Sequence, residues 1–267
     1  MPQETQIRTT ATKEGVLHAV QEMYTGVATG SRDDLHFPVG RPAAEFVGYP
    51  KEVLDALPPG AVAGFAGVGY PFMVDAVRPG DTVLDIGSGS GTDLLIAARR
   101  TGPEGRAFGL DITDAMMAKT LGHIAEADAH NAFVLRGDAG EAIPLPSESV
   151  HTVTTNGVIN LIPDKARAFA EALRVLVPGG RLQLADIVVN AAIPESARND
   201  GELWAACIAG ADLTSVYLGA IRAAGFVDVE VVRRLDYFAA APREDSRRTA
   251  ARFEAEALVV SARKPDA

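Results

Sequence analysis

Cysteine is almost absent from this chain: Cys207 is the only one in 267 residues. A single cysteine excludes an internal disulfide, a cysteine-rich zinc site and a CxxC redox pair. Long apolar runs are missing too. No uninterrupted stretch reaches the ~18 residues that span a bilayer. The opening segment, MPQETQIRTTATKEG, lacks the basic-then-apolar layout of a secretory signal. Nor is there a basic cluster: the densest stretch, residues 243–252, is diluted by Glu244 and Asp245, and the net charge is −10. Such a surface repels nucleic acid. These absences lead us to expect a cytoplasmic protein, a monomer or homodimer, whose partner is a small molecule. Nucleic acid, membrane and metal are not expected.

What remains is an ordinary globular composition, 47% apolar and 22% charged. Residues 14–29 place Val16, Leu17, Val20, Met23, Tyr24 and Val27 at helical spacing. Residues 30–60 are rich in glycine and proline and read as an irregular segment with one short helix at 51–57. From about residue 72 strands and helices alternate. Strands are expected at 82–86, 106–112, 132–138, 150–158, 181–189, 227–238 and 257–264. Helices are expected at 91–101, 114–127, 165–176 and 217–224. Repeated βα alternation predicts an α/β fold with a parallel sheet and helices on both faces. Only a loop is expected between the last two strands, residues 239–255, so they should pair antiparallel.

The sharpest local signal is Thr82-Val83-Leu84-Asp85-Ile86-Gly87-Ser88-Gly89-Ser90-Gly91. A strand must turn abruptly into a helix here, and glycine permits both positive φ and close approach of a ligand. Dinucleotide sites space their glycines G-x-G-x-x-G and seat a pyrophosphate on the helix N-terminus. This loop reads G-x-G-x-G, and Asp85 precedes it by two positions. A carboxylate there suits a ligand with a positive amino group better than a diphosphate. Asp111 ends the second strand, twenty residues after Gly91, where a carboxylate can take both ribose hydroxyls. Asp138 ends the third strand. Ligands of open α/β sheets bind beyond the carboxyl ends of the strands, where these three acids collect. S-adenosylmethionine, with an ammonium, a sulfonium and no phosphate, fits that pattern.

VLDIGSGSG, GLDIT, GDAGEAIPLP and LRVLVPGGRLQLADI resemble, in order and spacing, the motifs of class I S-adenosylmethionine-dependent methyltransferases. The resemblance implies a Rossmann-like, seven-stranded sheet, mostly parallel with an antiparallel last strand. It also implies S-adenosylmethionine as cofactor and S-adenosylhomocysteine as product. The implied cofactor residues are Asp85, Gly87, Ser88, Gly89 and Gly91 at the methionine end. Asp111 with Ile112 would serve the ribose, Asp138 with Ala139 the adenine, and Asn156 would sit near the methionine. Further segments resemble arsenite methyltransferases: the spacing of Val20, Tyr24, Ser31, Asp34 and Leu35, then GFAGVGYP, NGVINLIPDK, ADIV and ELWAACIAGA. That family has one cysteine in the N-terminal loop, one before VINL and one in the last segment. Only Cys207 matches; His36-Phe37-Pro38 and Gly157 stand at the other two places. One thiolate cannot chelate trivalent arsenic as three can, so another small acceptor is expected. Arsenite held by Cys207, or a protein that binds the cofactor without turnover, are the alternatives.

Residues 1–70 are expected to form a lid over a binding domain at 71–267, with 190–217 adding to the cap. The candidate acceptor residues are Tyr24, Phe37, Phe65, Tyr70, Asn160, Trp204 and Cys207. Their aromatic rings can form an apolar slot and meet a sulfonium by cation–π attraction. His36 is the candidate general base. His18, His123 and His130 read as surface residues.

Overall fold

A computed structural model describes residues 13–31, 35, 37–194 and 210–266. Seven strands form one sheet: β1 (Thr82–Ile86), β2 (Arg106–Asp111), β3 (Ala132–Arg136), β4 (Val150–Asn156), β5 (Leu176–Val188), β6 (Val227–Leu235) and β7 (Glu256–Arg263). Their order is β3-β2-β1-β4-β5-β7-β6. The β1–β2, β2–β3, β1–β4 and β4–β5 pairs are parallel, and β7 runs antiparallel between β5 and β6. The expected antiparallel pairing of the last two strands is therefore observed.

Strand position explains strand composition. β1 and β4 lie inside the sheet and are apolar or threonine-rich, with nearly every residue buried. β6, at one edge, alternates exposed and half-buried residues, the pattern of a strand with one wet face. Val83 belongs to one core and Leu84 and Ile86 to the other, as the two-residue period of a strand demands. The first core also takes in α5 (Thr92–Thr101) and the N-terminal helix α1 (Lys13–Thr29). The second is closed by α7 (Lys165–Val175) and α8 (Thr214–Ala223). Between them in sequence, α6 (Asp114–Glu126) contacts β2, β3 and α1. Among the described residues no helix is long and apolar enough to cross a membrane.

Two stretches expected to be mostly irregular are helical; the short helix expected at 51–57 is found, with unexpected helices on either side of it. Residues 40–63 form α2 (Gly40–Val47), α3 (Lys51–Asp55) and α4 (Pro59–Ala63). The prolines and glycines that read as breakers stand at helix ends. Pro50 and Pro58 are N-caps, Pro59 is the first residue of its helix, and Gly48 and Gly64 are C-caps. In the first turn a proline gives up an N–H that has no helical partner anyway. The expected strand at 227–238 ends at Leu235, and the segment after it holds a 3₁₀ turn, Tyr237–Ala240, and, where a loop was expected, α9 (Glu244–Phe253), whose Ser246, Ala250 and Phe253 are buried. Its arginines and acids cover only the outer face, which masked the helical period.

Asp186, wholly buried near the end of β5, ties three elements together. Its carboxylate accepts from the Tyr217 hydroxyl at 2.9 Å, the Asn160 N–H at 2.8 Å and the Ile187 N–H at 2.9 Å. Burial pushes its pKa up to about 6, against the pull of these donors and Lys165. Replacing Tyr217 by Phe should keep the ring packed on Phe169 and remove one donor. We expect a stability loss of about 1–3 kcal/mol in urea denaturation at neutral pH.

Candidate active site

The turn after β1 is fastened from two sides. Gly87 N–H and Ser88 N–H both donate to Leu110 O of β2, at 2.7 and 3.1 Å. Gly89 N–H donates to Asp111 Oδ2 at 2.9 Å, while Asp111 Oδ1 accepts from Thr113 N–H at 2.8 Å. Thr120 and His123, on α6, donate to Gly89 O and Ser90 O at 2.6 and 2.8 Å. From the N-terminal side, the Ser90 and Thr92 hydroxyls both donate to Ala61 O of α4. Gly87 has φ +73°, and a Cβ there would lie 2.3 Å from Val158. Only glycine satisfies both the left-handed backbone and that contact.

Between this turn, the ends of β2 and β3, and the N-terminal helices lies a cleft of about 970 Å³, measured out to open solvent. Asp85, Gly87, Ser88 and Gly89 line it together with Asp111, Ile112, Asp138, Ala139 and Asn156. Tyr24 and Phe65 line it from the N-terminal side. Gly91 stands just behind as the N-cap of α5. Among the described residues that line this cleft are four carboxylates, Asp85, Asp93, Asp111 and Asp138, and no lysine, arginine or histidine.

Three of those acids are deeply buried, with 2% of Asp85, 6% of Asp93 and 8% of Asp111 exposed. Burial raises the pKa of all three, because a carboxylate away from water is costly. The neighbouring charges of Asp93 and Asp111 push Asp85 higher still, well above the usual carboxylate range. Asp93 rises to about 6, held down by hydrogen bonds from Tyr49 and Asn156. Asp85 Oδ2 is buried without a hydrogen-bond partner. An unpaired buried acceptor of this kind fits a cationic donor. Asp138 differs: its Oδ1 accepts from Gly140 N–H at 2.7 Å in a local turn.

Several sequence expectations change. Tyr70 is not part of the cleft wall: its ring lies against Tyr49 and Phe72, and its hydroxyl accepts from Arg100 at 3.1 Å. Asn160 is wholly buried on a 3₁₀ turn, its N–H committed to Asp186. Phe37 packs beside Tyr24 and lines a separate groove with Leu35 and Pro42. His123 is half-buried rather than fully exposed, and its ring donates to Ser90 O. His18 and His130 are exposed, next to Glu22 and Asp128. His36, Trp204 and Cys207 lie outside the described residues. Asn156 reaches the cleft, yet its amide is spent on protein: Oδ1 accepts from Val68 and Gly69 N–H, and Nδ2 donates to Gly69 O, Tyr49 and Asp93. Tyr49 and Asp93 escaped the sequence reading. Asp93 sits in the first turn of α5, where an acid is unremarkable beside a helix dipole. Tyr49 lies 44 residues away from it in sequence, so no local spacing links them.

Comparison with known proteins agrees with this geometry. The methyltransferase domain model matches residues 78–234. An arsenite methyltransferase of Halobacterium salinarum is 33% identical over 268 residues, covering 92% of this chain and 66% of that protein. One from Aquipseudomonas alcaligenes is 29% identical over 225 residues, covering 81% and 64%. The chain thus spans just under two thirds of the length of these relatives. The crystal structure of an arsenic(III) S-adenosylmethionine methyltransferase from Chlamydomonas reinhardtii superposes with a TM-score of 0.64 at 29% identity, over 86% of this chain and 75% of that one. A glycine turn held by an acid at the next strand end, on this sheet order, thus coincides with the matched segment, and the chain belongs to the methyltransferase-domain family, as a class I S-adenosylmethionine-dependent member resembling the arsenite methyltransferases.

Proposed function

We propose that the chain methylates a small acceptor molecule inside this cleft, beneath a cover formed by the N-terminal helices. The charge of the cleft supports this reading above all: four carboxylates and no cationic side chain among its described lining residues. A pyrophosphate would be repelled there, whereas S-adenosylmethionine brings an ammonium and a sulfonium. When bound, that cofactor supplies a methyl group already activated on sulfur. The chain's task is then to bind, orient and exclude water. Asp85 would receive the ammonium at its unpartnered oxygen. Asp111 would take ribose hydroxyls while holding Gly89, and Asp138 would serve the adenine amino group, with Ile112 and Ala139 as apolar walls.

The acceptor side is apolar. Leu17, Val20 and Tyr24 of α1 line the cleft together with Phe65 and Val158. Such walls desolvate the reacting groups and hold them in line. Arsenite as acceptor is the second reading, favoured by what the relatives are named for. The chemistry at Gly157 weighs against it. Where the family carries a cysteine, this residue has φ +74°, and a Cβ would sit 3.3 Å from Val68. A cysteine side chain there costs on the order of 1–2 kcal/mol in backbone strain. With Cys207 alone in the chain, the thiolates that arsenic(III) prefers are too few.

Calorimetric titration tests the donor assignment: S-adenosylmethionine should bind and NADH should not, and tighter binding of NADH would sink the reading. Affinity should fall as pH drops, first as Asp85, raised well above the usual carboxylate range, takes up a proton, and further through about 6, the value to which Asp93 is raised. Below that pH the free protein holds a proton that a cationic ligand must expel, so the loss approaches about tenfold per pH unit.

Asp111→Ala should weaken binding by about 1–3 kcal/mol and speed hydrogen exchange at the Gly89 amide, which loses its acceptor. Unchanged affinity in that variant would remove the ribose assignment.

For the acceptor, arsenite should not stimulate formation of S-adenosylhomocysteine. If it does, and Cys207→Ser abolishes the stimulation, the metalloid reading replaces ours.

A further inference from the structure

The Tyr49 hydroxyl lies at the junction of the N-terminal layer and the acidic end of the cleft. It donates to Asp93 Oδ1 and accepts from Asn156 Nδ2 at 3.0 Å; Asn156 Nδ2 also donates to Asp93 Oδ2 at 3.0 Å. The three side chains close a ring of hydrogen bonds in which both Asp93 oxygens meet neutral donors. Tyr49 itself is buried, with its ring edge-on to Phe65 at 4.9 Å and against Tyr70 at 4.5 Å. Phe65 lines the cleft and Asp93 lines its acidic end. One residue therefore touches the acceptor wall with its ring and the cation-binding end with its hydroxyl.

We propose that Tyr49 is a positioning residue that keeps Asp93 a carboxylate at the cofactor end of the cleft and so sets the acid limit of cofactor binding. This rests on the reading of the cleft as the S-adenosylmethionine site. A buried carboxylate stays charged only where donors replace water. Asp85 on β1 and Asp111 at the end of β2 oppose that charge, since both are acids buried in the same pocket. From the N-terminal side come Tyr49, Tyr70 and, farther out, Glu52. Among the described residues, Arg100 on α5 is engaged with the Tyr70 hydroxyl, Phe72 O and Asp75, and Arg233 of β6 donates to Val47 O. The neutral donors Tyr49 and Asn156 are thus what holds the Asp93 charge in place.

Tyr49→Phe keeps the ring and removes only the hydroxyl. Carboxyl-carbon NMR of the ligand-free protein should show the Asp93 titration midpoint rising by roughly one pH unit. The acid limb of S-adenosylmethionine binding should move up with it. Asp93→Asn should remove the Asp93 part of that limb and leave the part that belongs to Asp85, and adding Tyr49→Phe to it should then leave the pH profile unchanged. A purely structural tyrosine would lower the melting temperature without moving the midpoint, and an unmoved midpoint overturns the proposal. The ligand-free titration needs no cofactor. A midpoint that moves in a protein whose wild type binds no S-adenosylmethionine supports the role of Tyr49 and overturns the proposed function instead.

Discussion

The hydrogen bond from Gly89 N–H to Asp111 Oδ2 is the constraint on which the site depends. It joins the turn after β1 to the end of β2, two strands that already run side by side. The same carboxylate also holds Thr113 N–H, the N-cap of α6. Turn, strand end and helix start are therefore fixed relative to one another by one side chain. The carboxylate is itself buried, and a buried charge is tolerated only with donors in place. The backbone N–H groups that the turn presents are those donors. Turn and acid are each stable because of the other.

The same logic carries a cost that the protein does not remove. Asp85 sits beside Asp93 and Asp111 without a cation among the cleft's described residues, and Asp85 Oδ2 is left unpaired. Burying unpaired carboxyl groups costs several kcal/mol unless they are protonated or meet a positive partner. A fold organised for stability alone would place a lysine or an amide there. On the proposed reading, the acids left in place lower the stability of the cleft, and a cationic ligand would return that energy as affinity. Local destabilisation of this kind is expected at binding sites.

Much of this was legible in the sequence, for physical reasons. β1 was expected at 82–86 and is found there, because a fully buried strand bounded by glycines leaves no freedom of boundary. β5 was expected from residue 181 and starts at Leu176. Pro178-Gly179-Gly180 reads as a turn, yet the ladder to β4 continues across it with a shift of register between Val150 and Thr152. Proline and glycine also misled the reading of residues 40–63, where they cap helices. The three strand-end acids were visible because each stands at or just beyond the carboxyl end of its strand. Tyr49 and His123 were not: each acts through a contact that no local pattern encodes, and His123 looks from its own helix like any polar surface residue.

On the proposed reading, the donor and acceptor ends of the cleft are built by different rules, so a chain can keep one and change the other. The donor end is made of backbone N–H groups and strand-end acids locked by the parallel sheet. Asp111 in addition holds the turn itself, through Gly89 N–H and Thr113 N–H. The acceptor end is made by α1, the segment around Phe65 and the residues after β4, whose side chains pack without being fixed by the ladder. Gly157 shows the consequence. Its left-handed backbone is held by its N–H on Ala185 O, so the turn after β4 is satisfied without any side chain. Once no thiol is needed at that turn, glycine is the residue of lowest strain. Under the proposed function, the chemistry of the acceptor is thereby free to drift while the grip on the methyl donor stays fixed.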